Sequence, residues 1–194
     1  MRKIRWGLIF YTFLGIAALA GLVVLMGLIH RKDTAQVCES LKVNIIGKET
    51  FIDQADISKM ISNQFGVVVG IELQQIKLEE IERAIEKLPY VSKAEIHADM
   101  DGVVSVNVEQ RGVILRVINK DGREFYIDTK GHKIPVTLKY VPHVLVANGK
   151  ISEQYSKPLE KVETQMVQDL VKIVAKGKGN ELWENQIVQI YVNE

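Results

Sequence analysis

From Trp6 to Ile29 the chain runs for 24 residues without one charged side chain. At about 1.5 Å of rise per residue, a helix of that length is roughly 36 Å long, enough to cross a bilayer's hydrocarbon core with some tilt. Trp6 and Tyr11 stand near one end and His30-Arg31-Lys32 at the other, where headgroup zones favour such groups. Leu14, Leu22, Leu25 and Ile29 supply the apolar body. A cleavable secretion signal is the competing reading, with Arg2, Lys3 and Arg5 as its basic head and Ala18-Leu19-Ala20 as its processing site. Gly21 to Ile29 stays apolar past that site, which favours an uncleaved anchor. Basic residues flank the run on both sides, so charge alone leaves its orientation open.

Composition then narrows the function classes. Of 25 basic and 24 acidic residues, five basic ones and no acid fall in the first 32, leaving 20 against 24 beyond. A body that is net negative is a poor match for nucleic-acid phosphates. One cysteine, Cys38, excludes an internal disulfide framework and a Cys-rich zinc module. It is read as a free thiol, with a bridge to a second chain as the alternative. His30, His97, His132 and His143 have no metal-ligand spacing and read as surface residues. Asp99-Met100-Asp101-Gly102 resembles the opening of a calcium loop, but Gln110 stands where its closing carboxylate belongs, so a hairpin turn is the better reading. No nucleophile elbow, phosphate loop or S-x-x-K is present, so no catalytic residue, cofactor or small-molecule substrate is expected.

The remainder divides into a polar stalk (33–40) and two folded units. Leu41, Val43 and Ile45 read as a strand that turns at Gly47. Asp53 or Asp56 can cap a helix carrying Ile57, Ile61 and Phe65, with Gly66 as its stop. Val67-Val68-Val69 is a short apolar run. Leu78, Ile81, Ile85 and Leu88 form the stripe of a second helix over Lys77 to Leu88, ended by Pro89. Val91–Ala98 and Val103–Gln110 bracket Asp101-Gly102, a hairpin signal. This unit reads β-α-(β)-α-β-β over 41–111.

A second unit, 112–194, opens with strands over Val113–Ile118 and Glu124–Asp128, joined through Asp121-Gly122. Gly131 turns into Ile134-Pro135-Val136, and Val144–Ala147 is a further apolar run. Ser156 and Pro158 are expected to open a long helix with Leu159, Val162, Met166, Leu170 and Ile173 on its buried side. Ile187, Val188, Gln189, Ile190, Tyr191 and Val192 read as a last strand. At a sheet edge it would offer unpaired backbone to a partner strand; a place inside its own sheet is equally compatible with the residues.

Several of these residues carry a resemblance. Val43-Asn44-Ile45-Ile46-Gly47, Ile57, Ile61 and Ile71, Ile81 and Ile85 to Leu88-Pro89-Tyr90-Val91 with Ala94, and Val104, Val106 and Val108-Glu109 resemble a POTRA domain. With the anchor, the E-x-R of Glu109 to Arg111 and Phe125-Tyr126-Ile127-Asp128 before Gly131, the chain is similar to the FtsQ/DivIB family of bacterial cell-division proteins. The resemblance implies an α+β protein: a short cytoplasmic tail and transmembrane helix (1–32), a POTRA domain, then a mixed β domain with one long helix. It further implies a non-enzymatic divisome scaffold, single-pass in the inner membrane with its domains extracytoplasmic at the septum. Its partners would be the bitopic proteins FtsB and FtsL, supporting septal peptidoglycan synthesis. Relatives continue past the strand equivalent to Ile187–Val192, so the β domain here is expected to be short or truncated, and no partner-contact residue is carried over. Two rivals stand beside this reading: a POTRA module of an outer-membrane assembly or secretion system, and a membrane-tethered enzyme with an unrecognised site.

Overall fold

The structure, a computed structural model, describes residues 13–26, 36–177, 179 and 186–193. Residues 13–26 form helix α1, and Leu14, Leu22 and Leu25 are exposed along it. Trp6, Tyr11 and Ile29 lie outside the described residues. Among the described residues no helix is long and apolar enough to cross a membrane.

The first folded unit contains β1 (Ser40–Ile46), α2 (Gln54–Phe65), α3 (Leu78–Glu86), β2 (Val91–Ala98) and β3 (Val103–Gln110). Its sheet has the order β1-β3-β2, with β1 parallel and β2 antiparallel to the central strand. Ile57 and Ile61 of α2 and Ile81 and Ile85 of α3 pack on Val104, Val106 and Val108 of β3. Asp53 caps α2: its carboxylate accepts the Asp56 N–H, and the Asp56 carboxylate accepts the Asp53 N–H in return, both at 2.9 Å.

Two expectations are corrected here. Val67-Val68-Val69 is not a strand; the middle pairing reduces to a single bridge between Val37 and Glu72. Gln36 to Ser40 is no stalk, because the Cys38 N–H donates to the Ile71 carbonyl, the Gly70 N–H to the Cys38 carbonyl and the Glu39 N–H to the Gly102 carbonyl, all at 2.8 Å. Cys38 is thereby buried in the core, out of reach of a second chain.

The second unit holds β4 (Val113–Ile118), β5 (Glu124–Asp128), β6 (Lys133–Pro135), β7 (Leu145–Gly149), α4 (Gln165–Gly177) and β8 (Gln189–Val192). The sheet runs β6-β5-β4-β7-β8: β6, β5 and β4 pair antiparallel, and β7 pairs parallel with both β4 and β8. Val167, Leu170 and Val171 of α4 close the core over Leu115, Val117, Phe125 and Ile127.

The long helix starts later than Ser156 and Pro158 predict. Leu159 has a φ of +63°, and the segment around it runs beside β6, with the Leu159 N–H on the Lys133 carbonyl and the Lys133 N–H on the Glu160 carbonyl. A distant carboxylate sets the true start of α4. Glu153 accepts the N–H groups of Glu163 and Thr164 at 3.0 and 2.8 Å and the Thr164 hydroxyl as well. Its buried face is Val167, Leu170 and Val171, and Met166 and Ile173, expected inside, are exposed at 36% and 47%.

Candidate functional site

An edge strand presents unpaired N–H and C=O groups, so the sheet edges are places where this chain can meet another. In the first sheet, β2 is covered. Its outward amides at Ile96 and Ala94 donate to Glu82 and Glu86 of α3, at 3.0 and 3.5 Å. The opposite edge strand, β1, carries the exposed Lys42, a charge of the kind that discourages pairing. In the second sheet, β6 is covered by the 159–162 segment through both Lys133 backbone bonds and the bridge between His132 and Lys161.

β8 differs from all three. Among the described residues it is the outermost strand beyond β7, so the run Ile187–Val192 sits at an edge, its ladder to β7 running from the Val188 carbonyl to Val192. The Val146 N–H reaches the Val188 carbonyl and the Lys150 N–H the Val192 carbonyl, each at 3.0 Å. Parallel pairing alternates, so Val188, Ile190 and Val192 turn their backbone groups to β7, while Gln189 and Tyr191 turn theirs outward. Val188 and Tyr191 are 62% and 65% exposed. Beside the strand lies a cleft of about 630 Å³ whose apolar wall includes Ile173 and Val174 of α4, Val144, Leu145 and Ile190. A bare backbone edge next to an apolar hollow is suited to an extended chain that also inserts a side chain.

The residues that carry the family resemblance converge elsewhere, on the joint between the two domains. Arg111, 12% exposed at its side chain, donates from Nε to the Pro89 carbonyl at 3.2 Å, from Nη2 to the Val91 carbonyl at 2.7 Å and from Nη1 to Asp128 at 2.8 Å. L-P-Y-V, E-x-R and I-D-x-x-G therefore meet at one guanidinium. Asp128 also accepts the backbone N–H groups of Lys130 and His132 and faces His132 Nδ1 at 3.0 Å. Burial pushes the Asp128 carboxyl up, but the bonds from His132 and Arg111 outweigh it and hold the group below the usual carboxylate range. His132, read from sequence as a surface residue, belongs to this joint; His97 and His143 are exposed.

Aromatic packing seals the same seam. Phe51 stacks on Tyr90 with ring centres 5.1 Å apart and meets Tyr140 edge-on at 5.0 Å and Tyr126 at 6.0 Å. Tyr140 donates to Glu49, Lys139 bridges Asp53 and Asp56 at the cap of α2, and Gln110 pins the 49–52 loop through the Glu49 carbonyl and the Ile52 N–H. Sequence reasoning gave none of Phe51, Tyr140, Lys139 and Gln110 a role, because each acts across a long sequence separation.

One buried ionic cluster remains. Lys133 is 2% exposed at its side chain and lies 2.6 Å from Glu153 and 3.0 Å from Glu160. Burial pushes the lysine down, but the two carboxylates outweigh it and raise its pKa. Glu153 is pushed up by burial, then held below its ordinary value by Lys133, Thr164 and two backbone amides. Every partner is structural: the cluster ties β6 to the start of α4, away from the cleft. Among the described residues, no three His, Cys, Asp or Glu side chains come together as a metal site would require.

Comparison with known proteins follows the same division of the chain. Residues 36–109 match the POTRA-like domain, and residues 113–194 match the family described as FtsQ/DivIB, C-terminal related. No curated protein matches the chain.

Proposed function

We propose, for a chain that belongs to the FtsQ/DivIB family with a POTRA-like domain ahead of its C-terminal related domain, a non-enzymatic scaffold anchored in the inner membrane at the division septum. The apolar run Trp6–Ile29 is its anchor, with the N-terminus in the cytoplasm and both domains outside. Confinement to the membrane plane raises the effective concentration of the domains for other anchored proteins, so modest contacts suffice. The partners are the bitopic division proteins FtsB and FtsL, through which the scaffold supports septal peptidoglycan synthesis. One of them adds an extended segment to β8.

The observation that supports this reading is that, among the described residues, the β8 edge is bare while the β2 and β6 edges are covered. Proline distinguishes its two faces, because it removes an N–H and is tolerated only where that N–H faces away from the ladder. Tyr191→Pro and Gln189→Pro are expected to leave the fold intact and weaken co-purification of the full chain with FtsB and FtsL, each lost bond being about 1 kcal/mol, or several-fold in affinity. Ile190→Pro, which breaks a bond to β7, is expected to release the strand itself. Undiminished capture of both partners by Tyr191→Pro would remove β8 from the mechanism. Failure of the unaltered chain to bind either partner would remove the scaffold reading.

A further inference from the structure

The sheet edges leave one exposed apolar region of the first domain without a role. Where the chain enters this domain, Val37 is 42% exposed, and around it stand Val67 at 71%, Val69 at 48%, Ile71 at 36% and Met100 at 86%. Backbone bonds hold these residues at one tip: Val37 bridges Glu72, Cys38 exchanges bonds with Gly70 and Ile71, and Glu39 donates to Gly102 in the Met100 turn. Gly102 is required for this closeness. Its φ is +77°, and a Cβ there would lie 2.6 Å from the Val37 carbonyl oxygen. Two loops and the incoming strand, each carrying exposed apolar residues, are thus tied together by their backbones at one end of the domain. None of these side chains contributes to the joint or to β8.

Chain connectivity says what lies opposite. Only His30 to Ala35 separates the end of the apolar run at Ile29 from Gln36, the first residue of the tip. Six residues reach about 20 Å when fully extended, and the headgroup layer takes up roughly 6 Å of that. The tip therefore stays within about 15 Å of the headgroups whatever path the connection takes. Its own segments carry Glu39, Glu72, Asp99 and Asp101 beside the apolar residues in sequence, which suits the ammonium groups of zwitterionic lipids better than an anionic surface. We propose that this tip is a lipid-contacting foot: Val37, Val67, Val69, Ile71 and Met100 enter the headgroup layer of the bilayer that holds the anchor, and so fix the domain's standing angle. The inference rests on the anchored reading above.

Spin-labelled lipids read it directly. The full chain, in a Cys38→Ala background, is reconstituted into zwitterionic nanodiscs with an environment-sensitive fluorophore on Met100→Cys, Val69→Cys, Leu22→Cys or, in the other domain, Lys157→Cys. Expected is loss of most emission at Met100 and Val69 with headgroup-labelled lipid, loss at Leu22 with acyl-chain-labelled lipid, and none at Lys157. Quenching at Leu22 with none at Met100 and Val69 overturns the foot and leaves the anchor standing. No quenching at Leu22 overturns the anchor, and the foot with it. Emission at Met100 that is unquenched by lipid and shifts to the blue as copies per disc increase assigns the tip to a second copy of the chain and overturns the lipid assignment.

Discussion

The edges of β2 and β8 are chemically alike and treated in opposite ways. Among the described residues each is the last strand of its sheet, and each has outward amides at alternate residues. On β2 those amides are occupied from within, by Glu82 and Glu86 projecting from α3. On β8 the neighbouring helix withholds any such carboxylate: the flank of α4 facing the cleft is Ile173, Val174 and Gly177. A protein that protects one edge with its own helix has the means to protect the other. In the proposed scaffold, the difference separates an edge that stays single from an edge offered to a partner strand.

The largest effect comes from removing what holds α4 beside β8. Glu153→Ala strips Lys133 of its nearest counter-charge and uncaps α4, and breaking one partner out of a buried ion pair typically costs about 3–5 kcal/mol. The β domain is expected to melt well below the parent in urea or heat. Acid has the same direction. Glu153 and Asp128 hold protons less tightly when folded than when unfolded. Their contribution is complete above the unfolded carboxylate values of about 4, and drains away as pH falls through the lower folded ones. A pH series of unfolding midpoints checks this; Glu153→Ala is expected to flatten its acid limb.

A more local change separates the edge from the frame. Gly149 has a φ of +105°, and a Cβ there would sit 2.3 Å from the Val192 carbonyl oxygen. Gly149→Ala therefore combines a strained backbone, about 1–3 kcal/mol, with direct displacement of β8. Hydrogen exchange is expected to accelerate at the β8 amides while β4 and β5 keep their protection. Partner binding then falls with the strand. Uniform loss of protection across the domain would mean that β8 is part of the frame, and the contrast with β2 would fail.

What could be seen in the sequence follows from how far each determinant acts. Asp53 caps α2 three residues from Asp56, and Asp101-Gly102 turns its own hairpin; these are local, and periodicity plus turn chemistry expose them, whereas α3 ends at Glu86, ahead of the Leu88-Pro89 stop expected for it. Pro158 is a local sign that points to too early a start for α4, whereas Glu153 caps it from ten residues upstream. A hint was present: Ile151 and Glu153 share a face by alternation, and both are buried. The resemblance motifs were visible as patterns, yet their meeting at Arg111 was not, since Pro89, Arg111 and Asp128 are brought together only by the fold. Exposure of β8 was equally hidden, because alternation along a strand does not say whether another strand lies beyond it.

The smallest expected effect tests the covered edge itself. Replacing both Glu82 and Glu86 with Ala removes two acceptors from a partly buried helix face, one of them at the long distance of 3.5 Å, so the loss in stability is about 1 kcal/mol. Its consequence for association is larger than that figure implies. The Ala94 and Ile96 amides become free, and β2 becomes as open as β8. Concentration-dependent self-association of the full chain is expected in sedimentation, with Lys93 and Glu95 left as the charges still guarding the strand. Glu82→Gln paired with Glu86→Gln sharpens the result, because an amide carbonyl accepts the same N–H groups without the charge. If the Gln pair stays monomeric while the Ala pair associates, hydrogen-bond occupancy is what closes the edge. If both associate, the closing agent is the negative charge. If neither does, β2 needs no cover, and its contrast with β8 loses its meaning.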